Sequence, residues 1–137
     1  MTWTLLHQRM AFMAHLIEVA DTDPEAALAQ LCGPDNSFEV SRLFGGEEGL
    51  LLSLRQRWLT MLSAKLDQAD FESITSDQAR AELATAQPGL RALLDIASRR
   101  SLRLRALSPG EQRVIDLFEG SIGDRQQAIA QAFELRE

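Results

Sequence analysis

The stretch FGGEEGLLLSLRQRWLTMLSAKLDQA, Phe44 to Ala69, decides the fold. A helix advances about 100° per residue, so its side chains can be placed on a wheel. Leu50, Leu51, Leu52, Leu54, Trp58, Leu59, Met61, Leu62, Leu66 and Ala69 then fall within an arc of roughly 200°. A surface helix needs a stripe only a little over about 100° wide. An arc twice that wide implies more than one neighbour. The stretch therefore reads as the central helix of a bundle, near residues 47–69. Two cations lie inside the apolar arc, Arg55 close to its middle and Lys65 toward one side. Long side chains can lay their stems on apolar surface and reach water with their heads. From the centre of a wide stripe that is harder. Arg55 is accordingly expected to reach water, to meet a carboxylate, or to hold an anionic ligand, because an unpaired buried charge is costly.

Outward from that helix the chain reads as helices on both sides. Residues 2–20 repeat apolar side chains at spacings of three and four: Trp3, Leu6, Met10, Met13, Ile17, Ala20. Asp23-Pro24-Glu25 is a helix start, with Asp23 as N-cap and proline at the first helical position, and Gly33-Pro34 ends a short helix 24–32. Phe38 to Phe44 is a short helical turn with Phe38, Leu43 and Phe44 facing in. Gly45-Gly46-Glu47-Glu48-Gly49 is a turn and helix start. It lacks the Gly-Lys-Ser/Thr of a nucleotide loop and puts two carboxylates where a phosphate would sit.

Beyond the central helix, Asp70 to Thr75 is a connection, with Phe71 and Ile74 dipping into the core. Thr75-Ser76-Asp77-Gln78 fits a capping box for a helix over 76–87. Pro88-Gly89 opens another, with Leu90, Leu93, Leu94, Ile96, Ala97 and Leu104 on one face. It runs into the dense basic cluster Arg99-Arg100-Ser101-Leu102-Arg103-Leu104-Arg105. A continuous helix there points Arg100 inward. Either the helix breaks near residues 98–101 or Arg100 meets an acid. Ser108-Pro109-Gly110-Glu111 is a further capping box, Gly120 ends that helix, and residues 121–124 cap a last one. The whole is an all-α bundle of about six to seven helices in a single domain, residues 1–137.

Composition narrows the function. The chain has 137 residues, is 45% hydrophobic and carries a formal charge of −6. A net acidic chain argues against general nucleic-acid binding, which needs a basic footprint. The charge is uneven. Residues 49–107 are mildly basic and the segments on either side acidic, so the ends are expected to fold against the middle. A single cysteine, Cys32, allows no internal disulfide and reads as structural. No apolar run reaches the roughly 18 residues of a membrane span, and the N-terminus lacks the features of a secretory signal. The expectation is a cytoplasmic protein. Thirteen arginines against one lysine fit a GC-rich bacterial genome.

Chemistry-bearing patterns are sparse. His7 and His15 are eight apart, about 12 Å along a helix, and cannot share an ion. There is no Glu-x-x-His pair, nucleophile–base pair or cofactor fingerprint, so no cofactor, metal or catalytic residue is assigned. The run LSPGEQRVIDLFEG, 107–120, resembles the first helix of LuxR-type helix-turn-helix domains. In that family a second helix and a recognition helix follow. Here one helix follows before Glu137, where Arg125, Gln126 and Gln127 could offer donors to bases. The reading these patterns favour is a non-catalytic protein-interaction or regulatory domain, with a protein partner or a second copy covering the wide apolar faces. The alternatives are a DNA-binding regulator using residues 108–136, and a ligand-binding or enzymatic bundle with its site near Arg55. Arg55, Arg99, Arg100 and Arg103 are the candidate contacts for an anion or an acidic partner.

Overall fold

The computed structural model describes residues 2–107 and 109–119, and these are helix, turn or loop with no strand among them. Seven α-helices follow in order: α1 Trp3–Ala20, α2 Pro24–Leu31, α3 Ser37–Phe44, α4 Glu47–Glu72, α5 Ser76–Ala86, α6 Pro88–Arg100 and α7 Leu102–Leu107. A 3-10 turn, Pro34–Asn36, joins α2 to α3, and residues 109–119 are again helical. The last helix expected from the sequence, with Arg125, Gln126 and Gln127, lies outside the described residues. Among the described residues no helix is long and apolar enough to cross a membrane.

The punctuation acts where the sequence places it. Asp23 accepts from the Ala26 amide at 3.1 Å to start α2, and Thr75 accepts from the Gln78 amide at 3.1 Å to start α5. Gln78 does not reach back to complete a capping box; its side chain donates to Glu82 instead (3.4 Å). Gly45 and Gly46 take φ of 78° and 137°, values that side chains with a Cβ rarely adopt, and so turn α3 into α4. The N-terminus of α6 has no local side-chain cap. Asp21, at the end of α1, supplies one across the fold by accepting from the Gly89 amide at 2.9 Å. A Cβ at residue 89 would overlap the Ile17 carbonyl, so glycine lets α6 start directly against α1.

α4 is the hub. At 26 residues it is about 39 Å long, and it packs along α5, α3 and α6. Leu50, Leu51, Leu54, Trp58, Leu62, Leu66 and Ala69 are its buried face. That stripe is narrower than the apolar arc of the sequence, because Leu52, Leu59 and Met61 are only partly buried. α1 packs on α2 and α6 and buries Met13, Leu16, Ile17 and Ala20. One cluster of buried side chains draws on every described helix, down to Leu104 of α7 and Ile115 of the 109–119 helix.

Several apolar residues depart from expectation. Phe71 is 91% and Phe38 78% exposed. Phe71 lies on a longer helix than the sequence pattern implies, whereas Phe38 is in the helix as read but on its outer face. α4 runs on to Glu72, which fixes Phe71 about 200° round the axis from buried Ala69. α3 begins at Ser37, which puts Phe38 at the same phase relative to buried Val40. In α1, Trp3 is 72% and Met10 50% exposed, although they continue the line of Met13 and Ile17.

Candidate functional site

The charged side chains singled out by the sequence go to two different kinds of place. Arg55 is half-buried, and its Nη2 donates to the carbonyl of Leu107, the last residue of α7, at 2.9 Å. Cations suit helix C-termini because the last carbonyls lack intrahelical partners. Arg55 also lies against Gly110, so it holds both α7 and the start of the 109–119 helix to α4. Arg100 donates to Glu47 at 3.2 Å and stands 3.8 Å from Glu25, and Arg103 stands 3.7 Å from Glu48. The helix also breaks there: α6 ends at Arg100 and Ser101 is extended. Arg99 is exposed at the same helix end. Arg100 and Arg103 of the basic middle are thus matched by acids from residues 1–48. Lys65 reaches across to α5 and pairs with Glu82 at 2.9 Å.

The sequence marks Glu111 only as part of a capping pattern, yet this residue organises a polar cluster. Its carboxylate takes Arg80 Nε at 2.6 Å and Arg91 Nη1 at 3.1 Å. Arg91 also pairs with Asp95 at 2.9 Å and stacks on the Trp58 ring, 4.9 Å from its centroid. Glu111, Arg91 and Trp58, with Arg55 and Ser98, line a cavity of about 60 Å³. The Trp58 indole N–H is buried and makes no hydrogen bond to the described residues. A space of this size suits one or two waters, whereas small-molecule sites run to about 300–1,000 Å³. The cluster's charges are matched within the fold: two arginines on Glu111, one of them shared with Asp95.

A second, larger concavity lies between the N-terminal half of α1 and the middle of α4. It is an open groove of about 580 Å³. Leu6, Met10 and Met13 form one wall and Met61 stands in the other. Every methionine of the chain except Met1 therefore lines this one groove. Among the described residues its charged lining residues are Arg9 and Arg57. Arg9 donates to Ser53 across the groove at 3.2 Å and lies over the Phe44 ring, 5.2 Å from its centroid. Each wall extends about two helical turns, Leu6 to Met13 and Ser53 to Met61. The sequence carries the signal for this groove, an apolar stripe on α1 that runs further than one neighbour can cover. Periodicity alone does not tell which half of such a stripe is left open.

Neither feature shows a metal site: no group of three or more His, Cys, Asp or Glu side chains converges among the described residues. Cys32 is half-buried, and burial, with a smaller push from Glu47, raises its thiol to about 11. At neutral pH it stays protonated, which suits a packing role rather than a nucleophilic one.

Compared with protein-family models, with curated proteins and with solved structures, the chain matches none of them. The functional reading therefore rests on the groove and the cluster themselves.

Proposed function

We propose that this chain is a cytoplasmic, non-catalytic protein-interaction domain that receives an α-helical protein segment in the groove between α1 and α4. One observation carries the reading. The apolar stripe of α1 is continuous from Trp3 to Ala20, but only its C-terminal half is buried by the fold. Its N-terminal half opens onto a groove lined by three methionines. Unbranched, polarisable methionine side chains adapt to an incoming apolar surface. A trough two turns long between two helices has the shape that a helix-in-groove contact uses, with anchors at i, i+3 or i+4, and i+7.

The test uses full-length protein labelled at the methionine methyl groups. It is titrated with an uncharged helical peptide that has leucines at i, i+3 and i+7 and glutamine elsewhere. Shifts in the Met10, Met13 and Met61 methyl signals are expected, together with loss of those shifts in a Met10→Glu variant that still folds. Methyl signals that stay put up to millimolar peptide would overturn the reading.

A further inference from the structure

We infer that the groove between α1 and α4 is a site of reversible oxidative modification: a hydroperoxide converts its methionines to sulfoxides, Met10 first, and the oxidised groove no longer receives an apolar helix. The inference rests on the groove reading above and adds a regulation of that site. Four methionines and one cysteine are the chain's sulfur-bearing side chains. Met10, Met13 and Met61 come from two helices and meet in this groove. Their exposure is graded: Met10 is half exposed, Met61 partly buried and Met13 buried. An oxidant in solution therefore reaches Met10 well before Met13. Cys32 competes poorly. Its oxidation runs through the thiolate, and its half-buried thiol stays protonated at neutral pH. A thioether needs no deprotonation.

The step needs no catalytic group. The Met10 Sδ lone pair attacks one oxygen of the hydroperoxide, an S–O bond forms and the O–O bond breaks. Sulfur gives up two electrons, and the second oxygen leaves as water or an alcohol, carrying the proton of the oxygen transferred. The product changes the character of the wall. A flexible apolar side chain becomes polar and gains an acceptor oxygen. Gln56 and Arg57 on the facing wall have side-chain N–H groups that no described residue takes up, so the new oxygen finds donors within the groove. An incoming apolar segment would strip that oxygen of water and donors alike, and burying a polar group without a partner is unfavourable. The fold itself does not depend on Met10 in this way, since half of the side chain is already in water. Reversal falls to the methionine sulfoxide reductases, one for each sulfoxide epimer.

The experiment exposes the full-length protein to hydrogen peroxide and follows each methionine by peptide mapping and mass spectrometry. Met10 is expected to oxidise roughly tenfold faster than Met13, with Met61 between them. Protein oxidised at Met10 should bind the uncharged leucine-and-glutamine helical peptide about tenfold more weakly than reduced protein, as loss of one apolar contact allows. Treatment with both classes of methionine sulfoxide reductase should restore the affinity. Met10→Leu conserves volume, so it should bind the peptide within about threefold of the parent chain and keep binding after the same peroxide dose. If the reduced protein binds but oxidation leaves the affinity unchanged, the inference is wrong and the groove reading survives. Met10 and Met13 oxidising at the same rate would also overturn it, because the groove would then select neither. So would an equal loss of binding in peroxide-treated Met10→Leu, which would move the effect to another sulfur. If the peptide moves no methyl signal of the reduced protein, the groove reading falls and the inference with it.

Discussion

Arg55 and Arg57 stand two residues apart on α4 and meet opposite surroundings. Arg55 turns toward α7, donates to the Leu107 carbonyl and borders a cavity of about 60 Å³ beside the Arg91–Glu111 cluster. Arg57 turns toward α1 and lines an open groove whose described walls hold no carboxylate. On one side of the helix the fold answers each charge with its own atoms. On the other it sets positive charge beside soft apolar surface and leaves that surface open. A cation in an apolar stripe is therefore not in itself a site; what the rest of the chain brings to meet it decides.

The contrast is sharpest in stability. Trp58 is 1% exposed and sits at the junction of α4, α6 and the Glu111 cluster. Trp58→Ala is expected to cost about 3–5 kcal/mol, because it opens a large hole under a stacked arginine. On the groove side, Met10→Gln should change stability by no more than about 0.5 kcal/mol, since half of the side chain is already in water. Urea denaturation of both variants reads the difference. Comparable losses would mean that the groove is closed in solution and the comparison fails.

A smaller effect is expected at Glu111. Glu111→Gln keeps the size and removes the charge that Arg80 and Arg91 share. Breaking a buried pair costs about 3–5 kcal/mol, but Arg80 is nearly half exposed, so solvent screening lowers this to about 1–3 kcal/mol. The loss should be halved or less when Arg80 is already replaced by glutamine, because the two changes remove a shared interaction. Additive losses would show that Glu111 acts through something other than this pairing.

The groove and the cluster differ also in how far the sequence reveals them. The all-α class, the hub helix and most helix starts follow from periodicity and capping residues, signals set by neighbours within one or two turns. Arg55 stands out in the sequence as a charge on a dry face, but its partner, the Leu107 carbonyl, lies 52 residues away and is a backbone atom that no side-chain pattern announces. Glu111 reads locally as a capping residue, and only the packing of α5 and α6 shows it taken up by Arg80 and Arg91. Phe71 escapes the sequence pattern for a related reason. A hydrophobic residue at a helix end is free to turn inward only if the helix has stopped, and here α4 includes it. The groove needs the opposite information, which part of a regular stripe finds no neighbour. That is a property of the assembled fold.

The smallest effect sits on the far end of α4, where Lys65 and Glu82 join it to α5 at 2.9 Å. The hydrogen bond from Lys65 holds the Glu82 carboxyl below its ordinary value, outweighing desolvation, and the same bond raises the Lys65 ammonium above its own. A carboxyl lowered on folding stabilises fully above its unfolded value and loses that contribution as pH falls through the folded one. An ammonium raised on folding does so below its unfolded value and loses it as pH rises through the folded one. The pair therefore acts in full between about pH 4.3 and 10.4, the ordinary unfolded values. Both side chains are substantially solvated, so the contribution is small and screened by salt. Glu82→Gln should be slightly less stable than the parent chain at pH 7, and the gap should close by pH 3 or in 0.5 M salt. A gap of the same size at pH 7 and pH 3 would show that the contact works through packing of the Lys65 stem rather than through charge. The end of α4 would then be held by apolar contact alone.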